Sequence, residues 1–254
     1  MKPYSVVTPD FKIDSGGIRV MWGLYGWLLS KGQIVNVNTK YPNSDFVAIY
    51  PEVYHGNPMQ ANTVVRYILQ KPGMMGKGTP GTSSFRPGPL EFDPNDKLFA
   101  FSKLYMKDLP ENHYMFLPIL DMHLFCDREK QRTKKFYFVG KGINTNSHPA
   151  SAIELPRRMQ DQQKLADMLN DCQTLYIYDP VTALSEIARL CGARVVMFAP
   201  MEGFEKYYEP GMNGISLYKD TKTMLNYMEF RTHYSKMKDA FSKKLDDFIE
   251  LTQK

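Results

Sequence analysis

Residues 176–197, YIYDPVTALSEIARLCGARVVM, are the most informative stretch of the chain because a strand, a turn, a helix and a second strand follow one another without a break. Asp179 and Pro180 end the first strand, and the apolar spacing of residues 181–191 predicts a helix. Gly192 is typical of the position just beyond a helix end. The pattern is typical of a parallel α/β sheet.

In such a sheet the turn directs the first amide groups of the helix toward the carboxyl edge of the strands. Ligands bind at that edge, and a helix N-terminus there favours phosphate. The sequence therefore predicts a binding site at Val181, Thr182 and Ala183. Glu186, one turn further on, is in reach of a ribose and is also a candidate catalytic residue. The alternative is that Asp179 only caps the helix and Glu186 is solvated.

The same alternation extends outward from this stretch in both directions. Short apolar runs predict strands at 4–8, 33–38, 45–53, 97–102, 114–118, 135–140, 152–156, 174–178 and 194–198. Helical spacing is present at 18–32, 60–70, 160–170 and 181–191. Residues 71–95 are rich in glycine and proline and predict a long loop, functional or disordered.

The predicted fold class is α/β, with two Rossmann-like domains and a helical C-terminal segment. A polar, charged stretch near residues 121–135 sets the boundary, so the domains are predicted at 1–125 and 126–220. Residues 221–254 carry an apolar stripe opposite several lysines. That stripe favours packing on the protein's own domains over an anionic membrane surface, the alternative that a basic amphipathic helix allows.

Composition narrows the function classes. The 254 residues carry a net charge of +5, spread over both halves, whereas nucleic-acid binding clusters its basic residues. Three separated cysteines favour a reducing compartment. No signal peptide or membrane-spanning run is evident, so a cytoplasmic protein is expected, and peripheral membrane contact stays open as an alternative. The oligomeric state is also left open.

The first half contributes its own candidates. Gly16 and Gly17 open the first helix after the first strand, where glycines either form a turn or let a ligand approach the backbone. Glu52 and His55 follow the 45–53 strand and are candidate catalytic residues, able to position a hydroxyl group or act as a base. Polar residues are equally expected at a strand end.

The segment Glu186-Ile187-Ala188-Arg189-Leu190-Cys191-Gly192-Ala193-Arg194-Val195-Val196 resembles the nucleotide-sugar-binding half of retaining GT-B glycosyltransferases. It matches the second glutamate of their pattern and the turn and strand that come after that glutamate. Tyr178, beside Asp179, stands in the place of the first glutamate, a departure that resembles a branch of the superfamily with a Tyr-Asp…Thr-Ala-Leu…Glu pattern.

The resemblance implies two domains facing each other across a cleft and a metal-independent, retaining transfer of a hexose. The donor would be a nucleoside-diphosphate sugar and the acceptor a glycan or lipid-linked compound, without a further cofactor. Gly140 and Lys141 would hold the diphosphate together with the 181–183 helix start. Leu155 and Arg157 follow a strand where such enzymes hold the base. Gly16 and Gly17 would face the donor phosphate.

Two rival functions are weighed against this resemblance. A dinucleotide-dependent oxidoreductase requires a third glycine that Gly140-Lys141-Gly142 lacks. A non-catalytic nucleotide- or glycan-binding module of a larger transferase system fits the small first half. No HExxH, CxxC pair, P-loop or DxD sequence is present, so no metal ligand is predicted.

Overall fold

The fold is that of a computed structural model, which describes residues 1–77, 83–198, 215–218 and 227–254. These residues form two compact units. The first comprises residues 1–119 together with 237–254, and the second comprises residues 120–236. The predicted boundary at 125 lies close to this division. The predicted tail 221–254 is shared between the two units.

The first unit is built on a parallel five-stranded sheet in the order β2-β1-β3-β4-β7. Its strands are β1 (Tyr4–Val6), β2 (Val35–Val37), β3 (Val47–Pro51), β4 (Thr63–Ile68) and β7 (Lys97–Ala100). Because β2 and β3 lie on opposite sides of β1, the strand order reverses between β1 and β3. In open α/β sheets this reversal opens a crevice at the carboxyl ends of the strands.

Helix α1 (Gly16–Ser30) covers one face of this sheet. Its buried side chains, such as Leu24 and Leu28, join Tyr4 and Val6 of β1 in one hydrophobic cluster. The alternation of side chains along a strand places Val7 on the opposite face, where it packs with Ala48 and Tyr50. Each large apolar side chain buried here contributes about 1.5–3 kcal/mol.

The prediction of a helix at 60–70 is wrong, because the chain forms β4 there. Five of the six residues of β4 are buried, since the strand lies between β3 and β7. Thr63, Val64 and Val65 are β-branched, and β-branched side chains favour a strand. A strand that is buried on both faces lacks the alternation of apolar and polar residues that marks a strand in the sequence. Its position between β3 and β7 therefore determines that this segment is a strand. The strand predicted at 114–118 is not formed either; the segment has only an isolated bridge from Tyr114 to Ala100.

The glycine- and proline-rich segment 71–95 contains an antiparallel hairpin among its described residues. Strands β5 (Gly76–Lys77) and β6 (Arg86–Pro87) pair with each other. The backbone just after β6 packs on the end of β3: a Cβ at Gly88 would lie 3.0 Å from the Cα of Val53. The hairpin therefore lies beside the carboxyl edge of the first sheet.

The second unit repeats the arrangement of the first, with a parallel sheet in the order β12-β11-β10-β8-β9. Its elements are β8 (Lys134–Phe138), β9 (Ile153–Glu154), α2 (Gln162–Asn170), β10 (Cys172–Ile177), α3 (Leu184–Leu190), β11 (Arg194–Met197) and β12 (Ile215–Leu217). The α/β prediction with two parallel-sheet domains and a C-terminal helix is confirmed at this level.

The C-terminal helix α4 (Tyr227–Gln253) carries the apolar stripe of the tail. Phe241, Leu245 and Phe248 are buried in the core cluster of the first unit. The hydroxyl groups of Tyr4 and Thr252 lie 2.7 Å apart, which joins β1 to the end of the helix. Within the described residues, no helix is long and apolar enough to cross a membrane.

Candidate functional site

Each sheet reverses its strand order once, so each unit has one carboxyl-edge crevice in which a ligand could bind. In the first unit the crevice lies between β1 and β3, and in the second between β8 and β10. The residues predicted from the sequence fall at both crevices. The two crevices differ in whether their polar groups are already bonded to other groups of the protein.

In the second unit, Lys141, the residue predicted to bind a diphosphate, is already bonded to other groups of the protein. Lys141 Nζ donates to Oδ2 of Asp179 at 2.9 Å and to the carbonyl of Val181 at 2.8 Å. The amide of Lys141 donates to the same carboxylate oxygen at 3.0 Å. Gly142 lies against the β10 end, where a Cβ would stand 1.9 Å from the carbonyl oxygen of Tyr178. A diphosphate at this position would have to displace the ion pair.

Two amide groups around the predicted helix start at 181–183 are also bonded to nearby side chains. Val181 N–H donates to Oδ1 of Asp179 at 3.0 Å, and Leu184 N–H donates to Oγ1 of Thr182 at 3.2 Å. Helix α3 itself begins at Leu184, beyond Ala183, and is seven residues long. Asp179 therefore closes the turn before α3 and does not cap the helix, whose N-cap residue Ala183 has no side-chain cap hydrogen bond.

Tyr178 holds the loop that follows β8. Its hydroxyl oxygen accepts the backbone N–H groups of Ser147 and His148, at 2.9 and 3.2 Å, and lies 2.7 Å from Nδ1 of His148. The Tyr178 side chain is almost fully buried. In place of a ligand, it fixes residues 147–148 over the end of β10. Gly140, with φ +54°, turns this loop against Asp179.

Glu186 is partly buried, and desolvation raises the pKa of its carboxyl to about 7. Among the described residues it has no hydrogen-bond or ion-pair partner. Leu155 is buried and donates its N–H to the carbonyl of Tyr137 at 2.8 Å, whereas Arg157 is exposed. No hydrogen bond between described residues joins these two to Lys141 or Glu186.

The first unit presents polar groups without partners at its crevice. Helix α1 begins at Gly16 and Gly17, both exposed, with no side-chain cap and no acidic residue in the first turn. The N–H groups of Gly16, Gly17 and Ile18 have no hydrogen-bond partner among the described residues. A Cβ at Gly16 would meet nothing within 4 Å, so the space outside the helix start is open.

Thr8 places a buried hydroxyl group just beyond the carboxyl end of β1, the strand that precedes this helix. The residue is 1% exposed, and its Oγ1 has no partner among the described residues. Its backbone is fixed by Asn38, which accepts the Thr8 N–H and donates to its carbonyl. Thr8 continues the alternation of Tyr4 and Val6, so its side chain shares the face covered by α1.

Glu52 lies directly after β3 and is 4% exposed. Its Oε2 accepts the N–H of Leu69 at 2.9 Å, and the Leu69 side chain lies 3.7 Å from the Cβ position of Gly17. Leu69 therefore joins Glu52 to the start of α1. Burial raises the pKa of the Glu52 carboxyl to about 7, although the amide groups of Leu69 and Gln70 act in the opposite direction.

His55, predicted together with Glu52, is exposed and turns to the hairpin. Its Nε2 lies 3.0 Å from the carbonyl oxygen of Pro87. No hydrogen bond between described residues joins the imidazole to Glu52. The imidazole therefore contacts the hairpin, whereas the Glu52 carboxyl contacts the end of β4.

Sequence reasoning missed Thr8 and Leu69. The signal for Thr8 was a hydroxyl residue at the end of an apolar strand that precedes a glycine-led helix. Nothing in the sequence indicated that Leu69 contacts Glu52, because the spacing of residues 60–70 predicted a helix and not the strand β4. No group of three or more histidine, cysteine or acidic residues that could hold a metal ion is present in the part of the chain that the structure describes.

Comparison with known proteins finds one weak structural likeness and no family. No protein-family model and no curated protein matches the chain. Among solved structures, the C-terminus of E. coli RcsC, containing a linker region and a phosphoreceiver domain, is similar over 95% of this chain and 94% of that chain. Its sequence identity is 14% and the TM-score is 0.23.

The glycosyltransferase prediction is not borne out: the RcsC structure is described as a phosphoreceiver protein, and no glycosyltransferase family model or curated protein matches the chain. The predicted transferase function is corrected accordingly. The internal pairing of Lys141 with Asp179 agrees with that correction. At a TM-score of 0.23 the likeness to RcsC assigns no function in its place.

Proposed function

We propose that the first unit binds a small phosphorylated compound, a phosphate monoester, at the crevice between β1 and β3. The observations that carry the proposal are the uncapped start of α1 and the buried, unpartnered hydroxyl of Thr8 just beyond the carboxyl end of β1. Both groups lack partners among the described residues, and both suit an anion with several acceptor oxygens.

The physical argument begins with the helix start. The first N–H groups of a helix have no partner within the helix, and the helix dipole adds about half a positive charge there. Gly16 and Gly17 leave the backbone exposed, so phosphate oxygens can reach these N–H groups. A hydrogen bond to a charged group contributes about 1.5–3 kcal/mol. Two or three such bonds correspond to a dissociation constant in about the millimolar to micromolar range.

The second unit supports the choice by contrast. It has the same strand order, but the amide groups of Val181 and Leu184 are bonded to Asp179 and Thr182, and Lys141 is paired with Asp179. A ligand there must first break these contacts, whereas a ligand at α1 gains hydrogen bonds without breaking any among the described residues.

The experiment adds a negative charge to the helix start. Gly16→Asp places a carboxylate in the first turn of α1, where it stabilises the helix by about 0.3–1 kcal/mol but repels an anion. Gly26→Asp is the matched control, because Gly26 is exposed in the same helix and a Cβ there also meets nothing within 4 Å. Binding of glycerol 3-phosphate is measured by titration calorimetry.

We expect wild type and Gly26→Asp to bind glycerol 3-phosphate with similar affinity and Gly16→Asp to lose at least about tenfold, since about 1.4 kcal/mol is a factor of ten. The melting temperature of Gly16→Asp should not fall. Equal affinity of all three proteins, or no binding by wild type, contradicts the proposal.

A further inference from the structure

We propose that the loop at residues 139–152, between β8 and β9, is a pH-sensitive strap at the carboxyl edge of the second sheet, and that protonation of His148 releases it at residues 147–148. The strap belongs to the second unit and acts without the anion site of the first. Its release would open the crevice between β8 and β10.

The strap is attached to two neighbouring residues that follow β10. Near its start, the backbone N–H and Nζ of Lys141 both donate to Oδ2 of Asp179. Near its end, the backbone N–H groups of Ser147 and His148 both donate to the hydroxyl oxygen of Tyr178, at 2.9 and 3.2 Å. A single phenol oxygen therefore holds the far end of the strap.

The Tyr178 hydroxyl also fixes the tautomer of His148. A hydroxyl oxygen has two lone pairs and one proton. The two backbone N–H groups of the strap occupy both lone pairs, and Nδ1 of His148 lies 2.7 Å from the same oxygen. The Tyr178 proton must therefore point to Nδ1. Neutral His148 is thus the acceptor at Nδ1 and carries its own proton on Nε2.

Protonation of His148 is incompatible with this arrangement. Nδ1 takes a proton from the solvent, becomes a third donor to the Tyr178 oxygen and no longer accepts the tyrosine proton. Tyr178 is 1% exposed, and its hydroxyl has no other acceptor among the described residues. Three donors then compete for two lone pairs, so at least one of the two backbone bonds to the strap must be given up.

The other titratable groups around His148 do not replace Tyr178 as its partner. The imidazole stacks on Tyr137 of β8, with ring centroids 3.9 Å apart and 14° between the planes. The Tyr137 hydroxyl donates to Oε2 of Glu154 on β9. Among the described residues, neither Glu154 nor Asp179 forms an ion pair with His148, and Asp179 binds the lysine at the other end of the strap.

The release is confined to one end of the strap. Histidine changes its charge between about pH 5 and 8, a range in which lysine and aspartate ordinarily keep theirs. The pair of Lys141 and Asp179 therefore persists while the other attachment weakens. Residues 143–147 are all exposed, so no buried side chain between the two attachments holds the strap in place.

Nitrogen-15 NMR of the full chain between about pH 5 and 8 tests the proposal in wild type. At high pH, Nδ1 of His148 should show the shift of an unprotonated acceptor and Nε2 that of a protonated nitrogen. The backbone amide signals of Ser147 and His148 should move with the same midpoint as the His148 ring. Below that midpoint their protection against hydrogen exchange should fall at least about tenfold. The amide of Lys141 should keep its protection.

Two variants test the parts of the latch. His148→Asn keeps an acceptor oxygen as many bonds from the backbone as Nδ1 but does not titrate, so the Ser147 amide should stay protected at both ends of the pH range. Tyr178→Phe removes the acceptor oxygen, so this amide should be unprotected at every pH. His123→Asn is the matched control, because His123 is an exposed histidine of the same unit. It should retain the pH dependence of wild type.

The proposal is overturned if neutral His148 carries its proton on Nδ1, or if the strap amides keep the same protection over the whole range. Retained pH dependence in His148→Asn, or protected strap amides in Tyr178→Phe, would also overturn it. The wild-type titration decides the tautomer and the release by itself, so the test does not depend on the folding of either variant.

Discussion

Arg66 and Asp96 form a buried ion pair in the first unit, with Nε of Arg66 2.6 Å from Oδ2 of Asp96 and both side chains at most 6% exposed. The other guanidinium nitrogens donate to the carbonyls of Tyr54 and Gly56. The pair therefore fixes the loop that follows β3, the loop that begins with Glu52.

Removing one partner of this pair should be costly, because it leaves the other charge buried without compensation. Arg66→Met should lower the free energy of unfolding by about 3–5 kcal/mol. The matched control is Lys103→Met, which breaks the exposed pair with Glu111 and should cost under about 1 kcal/mol. Urea unfolding measures both. Equal losses would contradict the assignment of the Arg66 pair as buried.

Glu52 should make stability depend on pH. Its pKa is about 7 in the folded protein and 4.5 as the ordinary value, so the folded state holds an extra proton between these values. Stability must then fall as pH rises through this window, by roughly 3 kcal/mol when the shift is complete.

The measurement is the free energy of unfolding of wild type and Glu52→Gln at pH 5 and pH 8. The variant should gain relative to wild type at pH 8, because the substituted glutamine side chain has no charge to bury. Glu91→Gln serves as the control for general charge effects. A difference between wild type and Glu52→Gln that stays constant with pH would exclude a raised pKa.

Gly142 should tolerate no side chain, since a Cβ there would overlap the carbonyl of Tyr178. Gly142→Ala should lower the free energy of unfolding by about 1–3 kcal/mol through forced backbone movement. Gly26→Ala, in an open helical position, should instead raise it by about 0.5–1 kcal/mol. Thermal unfolding distinguishes them. A neutral Gly142→Ala would show that the loop does not lie on β10.

Phe248 tests whether α4 belongs to the core of the first unit. Its ring stacks on Tyr4 at 6.2 Å and meets Phe99 edge-on at 4.7 Å, and it is fully buried. Phe248→Ala should cost about 3–5 kcal/mol. Met228→Ala, at the exposed start of the same helix, should be nearly neutral. A loss of less than about 1 kcal/mol at Phe248 would mean that the tail is dispensable for the fold.

The α/β class and most of its elements could be predicted from the amino-acid sequence. The 176–197 stretch predicted β10, α3 and β11 within a few residues, because strand, turn and helix signals there are local. Gly16 and Gly17 likewise marked the start of α1. These features depend on backbone preferences and on side-chain periodicity, which short stretches of sequence contain.

The identity of β4 and the state of the two crevices depend on tertiary contacts. The 60–70 run is a strand because neighbouring strands bury it on both sides, which no local pattern records. Lys141 and Asp179 are 38 positions apart in the sequence, and Glu52 and Leu69 are 17 apart. Whether a charged group is paired, buried or open to a ligand depends on such distant contacts, because pairing and desolvation are properties of the folded surroundings.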